Sequence, residues 1–176
     1  MRYHASLILA TIMTLACQNK SINPDSTGQN DGMTRIRDTT PRVTGIGGIF
    51  FTTKNPQETR NWYRNNLGLA INEYGSPFEF RNAHNPDEVN YLQWSPFENG
   101  TDYFGPSTKE FMINYRVNDL DGLLKKLKQN GVIIVDSISV YENGRFIHIM
   151  DNDGNKIELW EPKDSYFTQL AEKTTK

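Results

Sequence analysis

Hydrophobic and polar positions along this chain follow two rhythms, one of period two and one of period near 3.6, and the switches between them mark out the elements. Val43 to Thr53 is a β-like run containing Ile46, Ile49, Phe50 and Phe51, interrupted by Gly45, Gly47 and Gly48. Glycine weakens a strand interior, so these glycines mark a bulge or a place where something approaches the backbone closely. Asn55-Pro56-Gln57-Glu58 reads as a helix start, with an Asx cap, proline at the first helical position and a glutamate placed to close a capping box. Thr59, Trp62, Tyr63 and Leu67 recur at helical spacing, and Gly68 suits the C-terminal cap. Short strands are expected at Leu69 to Tyr74, Phe78 to Arg81 and Asn90 to Trp94. A long loop from Ser95 to Pro106 carries Phe97, Tyr103 and Phe104, expected to pack as a flap over the domain.

The pattern then repeats. Phe111 to Val117 is a strand, Asn118-Asp119 caps a helix striped by Leu120, Leu123, Leu124 and Leu127, and Gly131 ends it. Asn55 and Asp119 stand 64 residues apart, and Gly68 and Gly131 stand 63 apart. A duplicated unit of strand, helix and about three strands follows. The expected fold class is α+β: paired βαβββ modules, 43–106 and 107–163, with curled mixed sheets enclosing a cavity and the helices outside. The last strands fall between Tyr141 and Pro162, where Asn143-Gly144 gives one tight turn and Asp151-Asn152-Asp153-Gly154-Asn155 another. In the final strand, alternation puts Ile157 and Leu159 on one face and Glu158 with Trp160 on the other. A carboxylate beside an indole suits a pocket or a metal site better than a plain core, because an unpaired buried charge is costly.

Met1 to Lys20 has the pattern of an export signal: Arg2 is the positive start, Ala5 to Ala16 is a short apolar segment, and small residues precede Cys17. It resembles a bacterial lipoprotein signal, which implies that Cys17 is lipidated and that the protein is held at a membrane of the cell envelope. Cys17 is the only cysteine, so no disulfide forms within the chain. Residues 18–42 are rich in Asn, Ser, Thr, Asp and Gly and are expected to be a flexible tether; residues 164–176 are expected to be a C-terminal tail. A formal charge of −2 and a pI near 5.9, with no local Lys/Arg run, give no case for nucleic acid. The expected partner is a small molecule.

The candidate chemistry gathers on a few side chains. Glu158 reads as a metal ligand, as a general base, or as a carboxylate paired with Arg116 or Arg145. His148 shares a strand face with Phe146 and Met150 and reads as a hydrogen-bonded lining histidine rather than a ligand, or with Glu158 as the acid/base candidate near neutral pH. Met112, Asn114 and Arg116 share a face by alternation, so Asn114 and Arg116 are candidates to line the same cavity. Arg116 would fork onto a carboxylate or enolate there, or else lie at the sheet edge in water. Trp94, Trp160 and Tyr141 are candidates to contact a ligand, the two indoles alternatively filling a curled sheet. A calcium loop at Asp151 fails, since the glycine comes too early and Pro162 stands where a closing glutamate is required. His4 lies in the leader and His84 in a polar loop, and neither joins a site.

Asn55-Pro56, Trp62-Tyr63, Leu67-Gly68, Asn118-Asp119-Leu120-Asp121, Gly131-Val132 and the run from Asp151 to Pro162 together resemble the glyoxalase/bleomycin-resistance/extradiol-dioxygenase superfamily, also called vicinal oxygen chelate, over about residues 43–163. The resemblance implies paired modules, a homodimer, and in many members a divalent ion held by His, Glu or Gln of both modules. Carried over position by position, the ligand places fall on Gly48 and Met112, with Glu158 at the C-terminal place and Gln93 the one oxygen donor near the fourth. Neither Gly48 nor Met112 offers a hard cation a ligand. The expectation is therefore an envelope-tethered protein that binds a small organic molecule between its modules without the usual metal and with no other cofactor. The alternatives are a divalent-metal-dependent lyase, isomerase or dioxygenase using Glu158, Gln93 and His148, metal-free acid/base chemistry, or a scaffold whose cavity is filled by its own aromatics.

Overall fold

A computed structural model describes residues 40–83, 85–169 and 174–175. The expected leader and residues 18–39 of the expected tether, with His4, Cys17 and His84, lie outside the described residues, while Arg42 at the end of that tether already belongs to the first strand. The body, residues 37–176, runs β1 (Arg42–Thr53), α1 (Pro56–Leu67), β2 (Ser76–Arg81), β3 (Val89–Glu98), a 3-10 turn (Asp102–Phe104), β4 (Phe111–Asn118), α2 (Leu120–Gln129), β5 (Ile133–Ile134), β6 (Ser139–Tyr141), β7 (Gly144–Met150), β8 (Lys156–Pro162) and α3 (Asp164–Gln169). The strands form one sheet in the order β2-β3-β1-β4-β8-β7-β5, with β6 added to β7.

Local chemistry explains the boundaries. The Asn55 side chain accepts from the Gln57 and Glu58 amides at the start of α1, and Gly68 closes it at φ 72°, where a side chain would be strained. Asp119 caps α2 through the Gly122 amide. Asp151 Oδ1 accepts from the Asp153 and Asn155 amides, and this turn joins β7 to β8. The expected strand at 69–74 does not form. The Asn72 side chain instead accepts from the Tyr74 and Gly75 amides, and this local turn competes with a strand ladder. Conversely β3 runs to Glu98 and absorbs the start of the expected loop, Pro96 being tolerated because pairing with β2 ends at Trp94.

The duplication is visible in the pairing. β1 and β3 are parallel, as are β4 and β8, and β1 meets β4 antiparallel to fuse the two halves. On one face α2 covers Val117, Ile147, Ile149 and Leu159 with Leu120, Leu123 and Leu124. Trp94 lies under α1, 4.4 Å from Tyr63 and 5.3 Å from Phe51 between ring centres. The opposite face carries Glu158 and Trp160, and its first-module half is filled by Phe50, Phe104 and Met112 with Phe97 packed on them.

The helices do not all lie outside. α3 packs against the Glu158 side of the sheet, with the Phe167 ring 4.8 Å from Tyr91 and 5.4 Å from Trp160, and Asp164 paired to Arg116. Further on, the Thr175 amide donates to the Pro77 carbonyl, and its hydroxyl contacts the Ser76 hydroxyl at 2.7 Å. The expected tail is thus built into the body, and the free edge of β2 gains a partner at Thr175.

Candidate active site

The site forms where β8 lies between β4 and β7. Asn114 stands directly opposite Glu158 on one side and His148 directly opposite it on the other. Residues opposed in register point to the same face, so strand pairing alone brings the three side chains together. Asn114 Nδ2 donates to Glu158 Oε1 at 2.6 Å, the Tyr103 hydroxyl donates to Oε2 at 2.6 Å, and His148 Nε2 lies 3.2 Å from Oε2. Burial of Glu158 works against its charge, but the His148, Tyr103 and Asn114 donors outweigh that and hold its carboxyl below the usual range.

His148 is held at both ends. Nδ1 lies 2.6 Å from Asp136 Oδ2 while the His148 amide donates to Asp136 Oδ1, so one carboxylate fixes both ring and backbone. With a carboxylate at each nitrogen, the ring satisfies both partners only as a doubly protonated imidazolium. Burial disfavours that charge, yet Glu158 and Asp136 raise the His148 pKa above its ordinary value. Tyr103 is pushed far up by burial and by the adjacent Glu158 carboxylate, so it stays a phenol that donates. Its turn is fixed by Lys156, whose ammonium donates to the Tyr103 carbonyl at 2.7 Å and lies 5.3 Å from the centre of its ring. The result is a hydrogen-bonded chain, Asp136–His148–Glu158–Tyr103, braced by Asn114.

This chain opens on a cavity of about 620 Å³ lined by Tyr103, Ser139, Tyr141, Glu142, Asn143, Phe146, His148, Glu158 and Tyr166. Of the side chains expected to meet a ligand or do chemistry, Tyr141, His148 and Glu158 line it. The others are placed elsewhere. Asn114 is buried on the far side of Glu158 from His148. Arg116 is turned to Asp164, with its guanidinium 5.1 Å from the Trp160 ring. Trp160 is stacked on Phe146 at 6° and 5.7 Å, which leaves no gap for a planar ligand between them. Trp94 points to the α1 side. The expected cavity between modules is therefore displaced onto the second module, with α3 and the aromatic cluster occupying the first-module half.

Pairing also moves one correspondence. Gly48 is opposite both Gln93 and Asn114, and Asn114 is opposite Glu158, so a single row crosses the sheet as Gln93, Gly48, Asn114, Glu158. Asn114, not Met112, is the second-module counterpart of Gly48. Met112 pairs with Phe50 in the apolar cluster. A divalent ion finds no cradle in this row. Gly48 has no donor atom, and a β-carbon there would lie 2.6 Å from the Phe50 ring. The Gln93 amide donates to the Trp94 carbonyl and the Ser95 hydroxyl. Asn114 Oδ1 is buried with no hydrogen-bond partner among the described residues and lies against Gly47, and both Glu158 oxygens already accept from neighbours. Among the described residues no group of three His, Cys, Asp or Glu is placed to hold a metal.

Sequence reasoning missed Tyr103, Asp136 and Tyr166. Tyr103 sits in a loop whose aromatics were expected to be packing, and Asp136 reaches His148 from the β5–β6 connection. No periodicity signals either contact.

Comparisons with known proteins agree with this architecture. A family profile described as Glyoxalase/Bleomycin resistance protein/Dioxygenase superfamily matches residues 45–159. Among solved structures, methylmalonyl-CoA epimerase from Mycobacterium tuberculosis is 20% identical with a TM-score of 0.50, covering 73% of this chain and 94% of its own. A variant of Streptomyces coelicolor methylmalonyl-CoA epimerase, solved with 2-nitronate-propionyl-CoA, is 14% identical with a TM-score of 0.52, covering 69% of this chain and 99% of its own. At these identities the likeness speaks for the fold alone. No curated protein matches the sequence. The matched span, the duplicated pairing and the fused eight-stranded sheet make this chain a member of the glyoxalase/bleomycin resistance protein/dioxygenase superfamily.

Proposed function

We propose that the domain binds a small organic molecule in the second-module cavity and moves a proton on it through Glu158 and His148, without a divalent ion. The observation that carries this is the hydrogen-bonded chain from Asp136 through His148 to Glu158 and Tyr103, three of whose members face the cavity. Glu158 is a carboxylate positioned to take a proton. His148 is an imidazolium positioned to give one, and Tyr103 is a neutral phenol that holds the Glu158 carboxylate in place by donating to it. Asp136 touches no ligand; it orients the ring and supports its charge. The solved epimerases share the fold, and an isomerisation by proton transfer is the reaction class closest to this arrangement.

The test is exchange of carbon-bound hydrogen for solvent deuterium, followed by NMR, across a panel of small carbonyl compounds. The wild-type chain treated with chelator is expected to catalyse exchange on at least one compound, and Glu158→Gln to abolish it in protein that is still folded by circular dichroism at the assay temperature. Exchange that needs added metal, or that survives in Glu158→Gln, contradicts the proposal.

The same reading keeps the envelope anchor at Cys17 and a homodimer as proposals. No helix among the described residues is long and apolar enough to cross a membrane. Anchoring rests on the leader pattern, and Cys17→Ser is expected to release the protein from the membrane fraction of its host.

A further inference from the structure

The cavity walls carry a chemical preference beyond proton transfer. Four of the nine lining residues are aromatic, two are glutamates, and none is lysine or arginine. Tyr141 and Phe146 meet at 67° with ring centres 5.8 Å apart, so two walls stand nearly at right angles, and Tyr166 of α3 adds another ring. Nearby cations are already engaged: Arg116 by Asp164, Arg145 by Asp121 and Glu161, and Lys156 by the Tyr103 carbonyl. His148 faces two carboxylates, Asp136 and Glu158, so its own charge is more than matched. Glu142, exposed at the cavity, forms no ion pair with a described residue. Two of the chain's own cations already sit over rings of this assembly, Arg116 over Trp160 behind Phe146 and Lys156 over Tyr103.

We infer that the cavity selects organic cations, an ammonium or trimethylammonium head group held between the Tyr141, Phe146 and Tyr166 rings beside the Glu142 carboxylate. The ring faces present negative quadrupole density to a cation, and this attraction grows as the head group sheds water among them. A carboxylate beside the rings adds Coulomb attraction that no lining lysine or arginine offsets. The same walls disfavour phosphorylated or acyl-CoA ligands, since no lining guanidinium or ammonium meets their charge. This inference deepens the proposed function, because it names the ligand class of the same cavity. It is read by binding alone, whatever the outcome of the exchange experiment.

Isothermal titration of the full chain with choline, with its uncharged isostere 3,3-dimethylbutan-1-ol, and with acetyl-CoA tests it. Choline is expected to bind at least about tenfold tighter than the isostere, with acetyl-CoA weaker than both. Tyr141→Ala and Glu142→Gln change exposed side chains at the cavity, and each is expected to weaken choline at least about threefold in protein that is still folded by circular dichroism. Phe146→Leu, which keeps an apolar side chain but removes the π face, is expected to weaken choline and leave the isostere within about twofold. Equal affinities for choline and the isostere, tighter acetyl-CoA binding, or no choline binding would overturn the inference. Exchange activity lost in Glu158→Gln alongside equal choline and isostere affinities would overturn this inference alone. Selective choline binding with no exchange would overturn only proton transfer.

Discussion

A buried carboxylate stays charged only if its neighbours donate to it, and Glu158 meets that condition through the hydroxyl of Tyr103, the amide of Asn114 and the ring of His148. The consequence for pH follows from the two shifts. His148 has a raised pKa, so its contribution to stability is fully present below its ordinary 6.5 and is lost as pH rises through the folded value. Glu158 has a lowered pKa, so its contribution is present above its ordinary 4.5 and is lost as pH falls through the folded value. Urea unfolding of wild type and His148→Gln should therefore differ most between about pH 4.5 and 6.5 and converge in alkaline solution; a difference that grows with pH would contradict the ion pair. Tyr103→Phe removes one donor to a charged acceptor and should cost roughly 1–2 kcal/mol. Alternation along β8 made the facing of Glu158 and Trp160 legible from residue order, because period two is a property of the backbone. It did not reveal what Glu158 would touch. Tyr103 and Asp136 arrive from connections whose paths are set by tertiary packing, and Trp94, next to Gln93 on β3, faces the opposite side of the sheet and lies against Tyr63 of α1.

At the scale of elements, the caps and turns were the most readable features, since Asn55, Gly68, Asp119 and the Asp151 turn act through bonds a few residues long. Gly47 shows what such reading leaves open. The glycines of β1 were expected to mark a bulge or a close approach, and both occur: register shifts flank Gly45 and Gly48, and a β-carbon at Gly47 would lie 2.6 Å from the Trp160 ring. Gly47→Ala should therefore destabilise the chain by about 1–3 kcal/mol through overpacking, measurable as a lowered urea midpoint at constant slope. α3 was not foreseen as an element of the site. It is anchored by Asp164 on the buried Arg116 and by Phe167 between Tyr91 and Trp160, and it brings Tyr166 to the cavity. Asp164→Ala leaves that guanidinium buried without its carboxylate, which is expected to cost about 3 kcal/mol and to speed amide exchange in α3. Unchanged exchange there would show that α3 is held by its aromatic contacts alone.

For the whole molecule, duplication set both the fold and the position of the site. The row Gln93, Gly48, Asn114, Glu158 runs through both halves, yet only its second-module end is built for chemistry, because Phe50 covers Gly48 and Gln93 is turned to its own strand. The 64-residue offset made this fold recoverable from sequence. The asymmetry was not recoverable, since it depends on α3 and an aromatic cluster filling one half. The most direct test of the account is metal content by elemental mass spectrometry, after dialysis of the purified chain against Zn, Mn, Fe and Ni, with Glu158→Ala in parallel. Both proteins are predicted to retain far less than one equivalent of any of the four. Near-stoichiometric metal in the wild type that disappears in Glu158→Ala would contradict the account and make Glu158 a ligand rather than a proton acceptor.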